Sequence, residues 1–194
     1  MRIVAGDWRG RRIAAPAGTS TRPTSDRVRE ALFASLTSSL GAGLGGVRAL
    51  DAFAGSGALG LEALSRGASS AVFVESERGA RAALEANIAA LGAADRGRVI
   101  AGDAFALAAR HGIPGGPFGL ILLDPPYRID EARVRKLLED LVASGSVEEG
   151  ATVVWEHGRD VLVSWPQGFD VRTAKRYGST ALDIAVVTQM GSQA

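Results

Sequence analysis

The 194-residue sequence predicts an α/β fold: a mainly parallel sheet, covered on both faces by helices and ending in an antiparallel hairpin. Three observations carry this expectation. Five short apolar runs, at 47–51, 71–75, 98–101, 118–124 and 151–156, alternate with helical stretches at 58–66, 79–91, 104–110 and 131–143. Two further strand-like runs, 170–177 and 180–188, are joined only by Gly178-Ser179, a link short enough to allow nothing but an antiparallel turn. A hydrophobic share of 46% with 22% charged residues suits a globular chain that can bury one sizeable core.

Composition removes several function classes. There is no cysteine, so disulfides and thiolate metal sites are excluded. His111 and His157 stand far apart and match no metal-ligand spacing, so no metal is expected and both are read as bystanders. No basic start leads into an apolar run, and no apolar stretch approaches the roughly 18 residues a membrane helix needs. The expectation is a cytoplasmic protein without membrane contact.

Ahead of the sheet lies a different kind of segment. Runs 2–5 and 11–14, separated by Gly6-Asp7-Trp8-Arg9-Gly10, read as a β-hairpin. Pro23 turns its predecessor away from helix, and Thr24 or Ser25 can cap an amphipathic helix over 25–38 whose face carries Val28, Ala31, Leu32, Ser35 and Leu36. Asp26 in the first turn suits the helix dipole. The glycine-rich 41–46 marks the boundary between an appendage, 1–40, and the main fold, 47–190, the two counted together as a single domain. Net charge is only +1, but residues 1–30 hold seven arginines against Asp7, Asp26 and Glu30, or +4. The remaining 15 basic and 18 acidic side chains give −3. Such a basic arm suits a polyanion, and Arg9, Arg11 and Arg12 are its candidate RNA contacts; a merely solvated hairpin is the competing reading. Trp8 stacks on RNA or anchors the hairpin.

The first core strand opens into Asp51-Ala-Phe-Ala-Gly55-Ser-Gly57-Ala-Leu-Gly60. Gly55 and Gly57 allow a tight turn whose amides approach a ligand, and Gly60 lets the helix pack on the strand. Glu75 ends the second strand, where its carboxylate can accept both ribose hydroxyls of an adenosine. Asp103, after the third strand, can hold an adenine amino group. Asp51 is placed to meet a methionine ammonium. Phe53, Ala58, Ser76 and Ala104 flank these positions as further cofactor contacts. The glycine spacing alone also fits NAD, and only Asp51 and the terminal hairpin tilt it toward S-adenosylmethionine (AdoMet).

Asp124-Pro125-Pro126-Tyr127 follows the apolar run on the fourth strand. Neither proline donates to a ladder, so the pair forms a rigid loop at the strand's carboxyl end. Rigidity has a chemical use there. A base amino group is a weak nucleophile because its lone pair is delocalised. Acceptors at the Asp124 carboxylate and the Pro125 carbonyl can draw its N–H bonds out of plane and aim the lone pair at a methyl donor. Tyr127 offers a face on which an extruded base can stack.

This four-residue motif resembles the hallmark of methyltransferases that act on the amino groups of adenine, cytosine, guanine or glutamine. Residues 1–12, Thr21-Arg-Pro-Thr-Ser-Asp-Arg-Val-Arg-Glu-Ala-Leu-Phe33, 51–68 and 124–127 together resemble the bacterial 16S rRNA guanine-N2 methyltransferases that modify guanine 966. The resemblance implies a class I, Rossmann-like fold of seven strands ordered 3-2-1-4-5-7-6 with an antiparallel last strand. It also implies AdoMet as methyl donor, an N-terminal hairpin that helps to hold RNA, and 16S ribosomal RNA as substrate. The few basic contacts of the arm lead us to expect RNA already held in shape within a partly assembled small subunit, and a monomer is expected. Ser179 departs from the acidic residue of many relatives, which leaves the role of its turn in doubt. Arg22, Thr24 or Arg27 can close over the AdoMet carboxylate, although helix capping already explains Thr24. Trp155 and Trp165 read as packing. Competing readings are adenine-N6 methylation of DNA or RNA, glutamine-N5 methylation and an RNA-binding assembly module without catalysis. The intact motif argues against the last.

Overall fold

Neighbouring residues of a strand face opposite sides of a sheet, so a strand that is apolar throughout demands a cover on each side. The computed structural model, which describes residues 1–15, 26–40 and 43–188, meets that demand in full. On β4 (Phe118–Leu123), Leu120 and Leu122 enter one apolar cluster while Ile121 and Leu123 enter the other. The same split separates Ala49 from Leu50 on β1 (Arg48–Asp51). One cover consists of α1 (Asp26–Leu40), α2 (Ala58–Ser65) and α3 (Arg78–Leu91), the other of α4 (Ala104–His111) and α5 (Glu131–Ala143).

With β2 (Ser70–Glu75), β3 (Gly97–Ala101), β5 (Val147–Gly158), β6 (Phe169–Tyr177) and β7 (Thr180–Val187), the sheet has seven strands ordered β3-β2-β1-β4-β5-β7-β6. β1 to β5 are parallel, and β7 runs antiparallel to both β5 and β6. The order reverses between β1 and β4, and a crevice forms beyond the carboxyl ends of the strands at such a switch point.

Three details differ from the sequence expectation. β5 begins at Val147, four residues early, because its register on β4 shifts between Phe118 and Leu120. Glu148, Glu149 and Gly150 occupy the irregular stretch, and their polarity hides the strand from an apolar-run reading. The N-terminal hairpin is shorter than expected: one bridge, Arg2 to Arg12, is flanked by Ile3 N–H to Arg11 O at 2.9 Å and Ile13 N–H to Met1 O at 3.1 Å. The Val4 and Ala5 amides turn instead to the Glu62 carboxylate on α2, at 2.8 and 3.0 Å. On α1 the buried face carries Arg29, Leu32, Phe33 and Leu36, rotated from the predicted one. Arg29 is buried because its guanidinium Nη2 donates to the Arg2 carbonyl at 2.8 Å, tying helix to hairpin. The caps proposed at Thr24 and Ser25 lie outside the described residues.

Candidate functional site

A cavity of about 870 Å³ opens at the switch point. β1, β2, β3 and β4 each deliver their carboxyl-terminal residues to it. Asp51, Phe53, Gly55, Ala58, Glu75, Ser76, Asp103, Ala104, Asp124, Pro125, Pro126 and Tyr127 all line its wall. Segments up to 76 residues apart in sequence thus share one chamber, which is what parallel strands of matched length produce.

Gly57 and Gly60 stand behind that wall and not on it. Gly57 has a φ of +83° and begins α2; a Cβ there would come within 2.4 Å of the Leu84 side chain. A Cβ on Gly60 would come within 2.3 Å of the Phe73 ring. Both glycines let α2 approach its neighbours, so their effect on the cavity is indirect. Gly55 is different: its amide donates to Glu75 Oε2 at 2.8 Å, while the Gly57 amide closes on the Ala54 carbonyl at 2.6 Å. The Gly55 and Gly57 amides are therefore committed within the protein.

Glu75 also takes the Glu77 amide on Oε1 at 2.7 Å, so backbone donors hold both oxygens of the carboxylate in place. Each oxygen keeps capacity for a further donor. Asp103 caps α4 through the Phe105 amide at 2.8 Å. Asp51 is buried, and its Oδ2 accepts the Gly60 amide at 2.9 Å. Its Oδ1 has no hydrogen-bond partner. Burial raises the Asp51 pKa to about 7, opposed by the Gly60 amide, reinforced by the nearby charges of Asp124 and Glu75, and again opposed by the Phe53 amide. Asp51 is a residue of the cavity wall, and a buried carboxyl with one oxygen unsatisfied calls for a cationic or hydrogen-bonding partner.

Beyond the end of β4, next to β1, Asp124 is half-buried, Pro125 is buried, and Tyr127 is 62% exposed. The Pro126 carbonyl closes the loop by accepting the Ile129 amide at 2.8 Å. The Tyr127 hydroxyl meets Thr180 Oγ1 at 3.3 Å. The turn around Ser179 thus touches the motif through Thr180, a link that spacing along the chain could not reveal.

The family model described as conserved hypothetical protein 95 matches residues 1–186. A Bacillus subtilis (strain 168) protein, YlbH, provisionally described as an rRNA methyltransferase, is 39% identical over 187 residues, 95% of this chain and 97% of that one. Ribosomal RNA small subunit methyltransferase D of Escherichia coli (strain K12) is 41% identical over 142 residues, 73% of this chain and 65% of that protein. The chain belongs to the ribosomal RNA small subunit methyltransferase D family. A solved Escherichia coli structure, provisionally described as the methyltransferase yhhF, superposes with a TM-score of 0.82 at 35% identity, covering 97% of this chain and 98% of that one.

In this member of the methyltransferase D family, several side chains at or behind the cavity escape a motif reading. Phe105 lines the wall near Asp103, tilted 54° to Phe53 at 5.5 Å between centroids, with the Arg133 guanidinium 4.3 Å over its ring. An aromatic next to a helix cap is too common for sequence to single it out. Glu62 is fully buried and accepts the Val4, Ala5 and Arg66 donors, the last at 2.7 Å. Its signal was present as the one acid in the apolar helix α2. Asn87 links the Ala14 backbone to the glycine turn, donating to Ser56 O at 2.9 Å.

The predicted RNA contacts divide. Arg9, Arg11 and Arg12 are all exposed, but the Arg11 guanidinium donates to the Ala90 carbonyl near the end of α3, which leaves Arg9 and Arg12 as the outward pair. Trp8 is buried, with Arg96 over its ring at 5.0 Å, so it anchors the hairpin and offers no stacking face. His111 and His157 lie outside the cavity wall. Arg22 and Thr24, proposed to close over the cofactor, lie outside the described residues, as does the side chain of Arg27. No described helix is long and apolar enough to cross a membrane.

Proposed function

We propose that this chain transfers a methyl group from AdoMet to the exocyclic N2 amino group of a guanine in 16S ribosomal RNA, with guanine 966 as the expected target. The observation that carries the reading is one chamber with two unlike walls. Asp51, Glu75 and Asp103 form a carboxylate-rich side; Asp124–Tyr127 forms the other. Within the family that the comparisons establish, the first suits an adenosine bearing an ammonium group and the second suits a planar base.

The residues fit AdoMet better than a dinucleotide. Asp51 Oδ1 lacks a partner and a methionine ammonium would supply one. The pinned Glu75 carboxylate can take ribose hydroxyls without reorganisation. The turn amides that NAD would need for its pyrophosphate are already used by Glu75 and Ala54. Ser76, Ala104 and Ala58 complete the shape of that wall, and Phe53 and Phe105 give it an aromatic surface for adenine.

When bound, AdoMet supplies an electrophilic methyl on a sulfonium, so no activating metal or base is needed at the donor. The chain supplies the acceptor's geometry. Asp124 and the Pro125 carbonyl accept the two N–H bonds of the amine, Tyr127 stacks on the base, and the rigid proline pair holds both acceptors in register. With the amine so held, the sulfonium methyl would pass to nitrogen and leave the thioether product, and Asp124 or water would take the surplus amine proton. Arg9 and Arg12 contact the RNA backbone, residues 1–40 and 47–190 act as one unit, and a partly assembled subunit presents the RNA to a monomer in the cytoplasm.

Calorimetry with AdoMet, its demethylated product and NAD, joined to mass spectrometry of 16S rRNA from a strain lacking the gene, tests this reading. AdoMet binding and one missing guanine methyl are expected. NAD binding without AdoMet binding, or fully methylated rRNA, would refute it. Glu75→Ala is expected to weaken AdoMet binding by about 1.5–3 kcal/mol, the range for hydrogen bonds to a charged group.

A further inference from the structure

Among the described residues, four large apolar side chains are exposed: Tyr127, Val161, Leu162 and Val171. Single exposed leucines are ordinary, but here Tyr127, which lines the cavity wall, meets Val161 beside Gly158, and Leu162 is next to Val161 in the chain. The Val161 and Tyr127 side chains lie 3.4 and 3.9 Å from the point a Gly158 Cβ would occupy, and Leu162, 90% exposed, follows directly. The loop that carries them is braced. Arg159 N–H donates to Ser179 O at 2.9 Å, Val161 N–H to Gly158 O at 3.0 Å, and Ser164 bonds Glu131 on α5 through its amide and its hydroxyl, each at 2.7 Å. Arg176 on β6 donates to the Arg159 carbonyl. Leu162 is therefore carried on a braced loop that also bears exposed Arg159 and Asp160; exposed Arg176 bonds to that loop, and exposed Arg128 follows Tyr127 in the chain.

We infer that Leu162, next to Val161 in the chain, is a wedge for the RNA substrate: it packs against the base left unpartnered when the target guanine leaves its stack for the Tyr127 face. The inference rests on the reading that a nucleic-acid base enters the cavity. Extruding a base exposes the faces of its neighbours to water, and an apolar side chain inserted there lowers the cost of the extruded state. The position is right for that purpose, one residue beyond the side chain that shares the Gly158 contact with the stacking tyrosine. The surrounding charge is right too, since three arginines would meet phosphates on either side of the opened step. A protein partner would be expected to meet a broader apolar face than these three side chains. Leu162 is thus a positioning residue that acts on the RNA and makes no contact with the transferred methyl.

The test is steady-state methylation of small ribosomal subunits from a strain lacking the gene, comparing wild type, Leu162→Ser and Leu162→Met. A wedge raises the population of extruded guanine after RNA has bound, and its removal lowers it. Leu162→Ser is therefore expected to lower kcat about tenfold with KM within about twofold, and Leu162→Met to restore most of the loss. AdoMet affinity and thermal midpoint should stay at wild-type values in both variants. An unchanged kcat in Leu162→Ser, a loss confined to KM, or no recovery with methionine would overturn the wedge. Wild type inert on every rRNA substrate would instead overturn the proposed function, so the two failures are told apart.

Discussion

The two walls of the cavity are built in opposite ways. The Asp51–Glu75–Asp103 wall comes from adjacent strand ends and is locked by backbone amides at Gly60, Gly55, Glu77 and Phe105. The side facing the proposed base is the 124–127 loop, backed by distant chain segments, the β5–β6 loop and the Thr180 turn, and it pairs a half-buried Asp124 and a buried Pro125 with an exposed Tyr127. A small, constant ligand suits prearranged acceptors. A large ligand with its own shape suits exposed groups on braced loops, because much of the order is completed by the partner.

That contrast should break most sharply at Asp124. Asp124→Ala is expected to cut methyl transfer about a thousandfold or more, about 4 kcal/mol of barrier, while AdoMet affinity stays close to wild type. Single-turnover assays beside calorimetry separate the two effects; turnover within a few-fold of wild type would remove Asp124 from the chemistry.

Next in size is Glu62, which joins the N-terminal hairpin to α2 and belongs to neither wall. Replacing it with alanine leaves the Val4 and Ala5 amides and Arg66 without an acceptor inside the protein, at a cost of about 2–4 kcal/mol in unfolding free energy. Denaturant titration measures this, and a loss below about 1 kcal/mol would mean water replaces the carboxylate.

Asp51 sharpens the comparison through pH. Its pKa is raised from 3.8 to about 7, so the folded protein holds this proton more tightly than the unfolded chain. The resulting stability contribution is complete below about pH 4 and is lost as pH rises through about 7. A bound ammonium favours the ionised form instead. AdoMet affinity should therefore be greatest near pH 7.5 and fall below about pH 7, at most tenfold per unit. Calorimetry between roughly pH 5.5 and 7.5 should show that slope in wild type and not in Asp51→Asn; equal slopes would place the ammonium elsewhere.

The smallest effect is expected at the arm. Arg9→Ala with Arg12→Ala should reduce the log–log salt dependence of RNA binding by roughly one to two units, at about 0.7–0.9 per phosphate contact, without changing AdoMet binding. An unchanged slope would assign the hairpin a purely structural part.

Much of this molecule was legible in the chain itself. Strand ends, the glycine turn and the Asp-Pro-Pro-Tyr loop are local patterns, and the parallel sheet places them in one crevice, so twelve candidate residues line a single cavity. Resemblance supplied the strand order, which periodicity alone does not contain. Sequence also had the basic arm, yet it counted Arg11 among outward groups and left Trp8 undecided. Whether a guanidinium faces solvent or the Ala90 carbonyl depends on where α3 ends relative to the hairpin. The same holds for the rotation of α1, turned by the buried Arg29–Arg2 bond.

Sequence by itself determined which chemical groups reach the carboxyl edge of the sheet, because an alternating strand–helix pattern permits few other arrangements. Only the tertiary structure decided which of them face the cavity. Gly57 and Gly60 retreat behind it as packing points, Asp51 on its wall keeps one buried oxygen unpaired, and Thr180 and Gly158 come to flank Tyr127. The reason is physical: burial and hydrogen-bond partners are set by contacts between segments far apart in the chain, and short-range patterns carry no record of them.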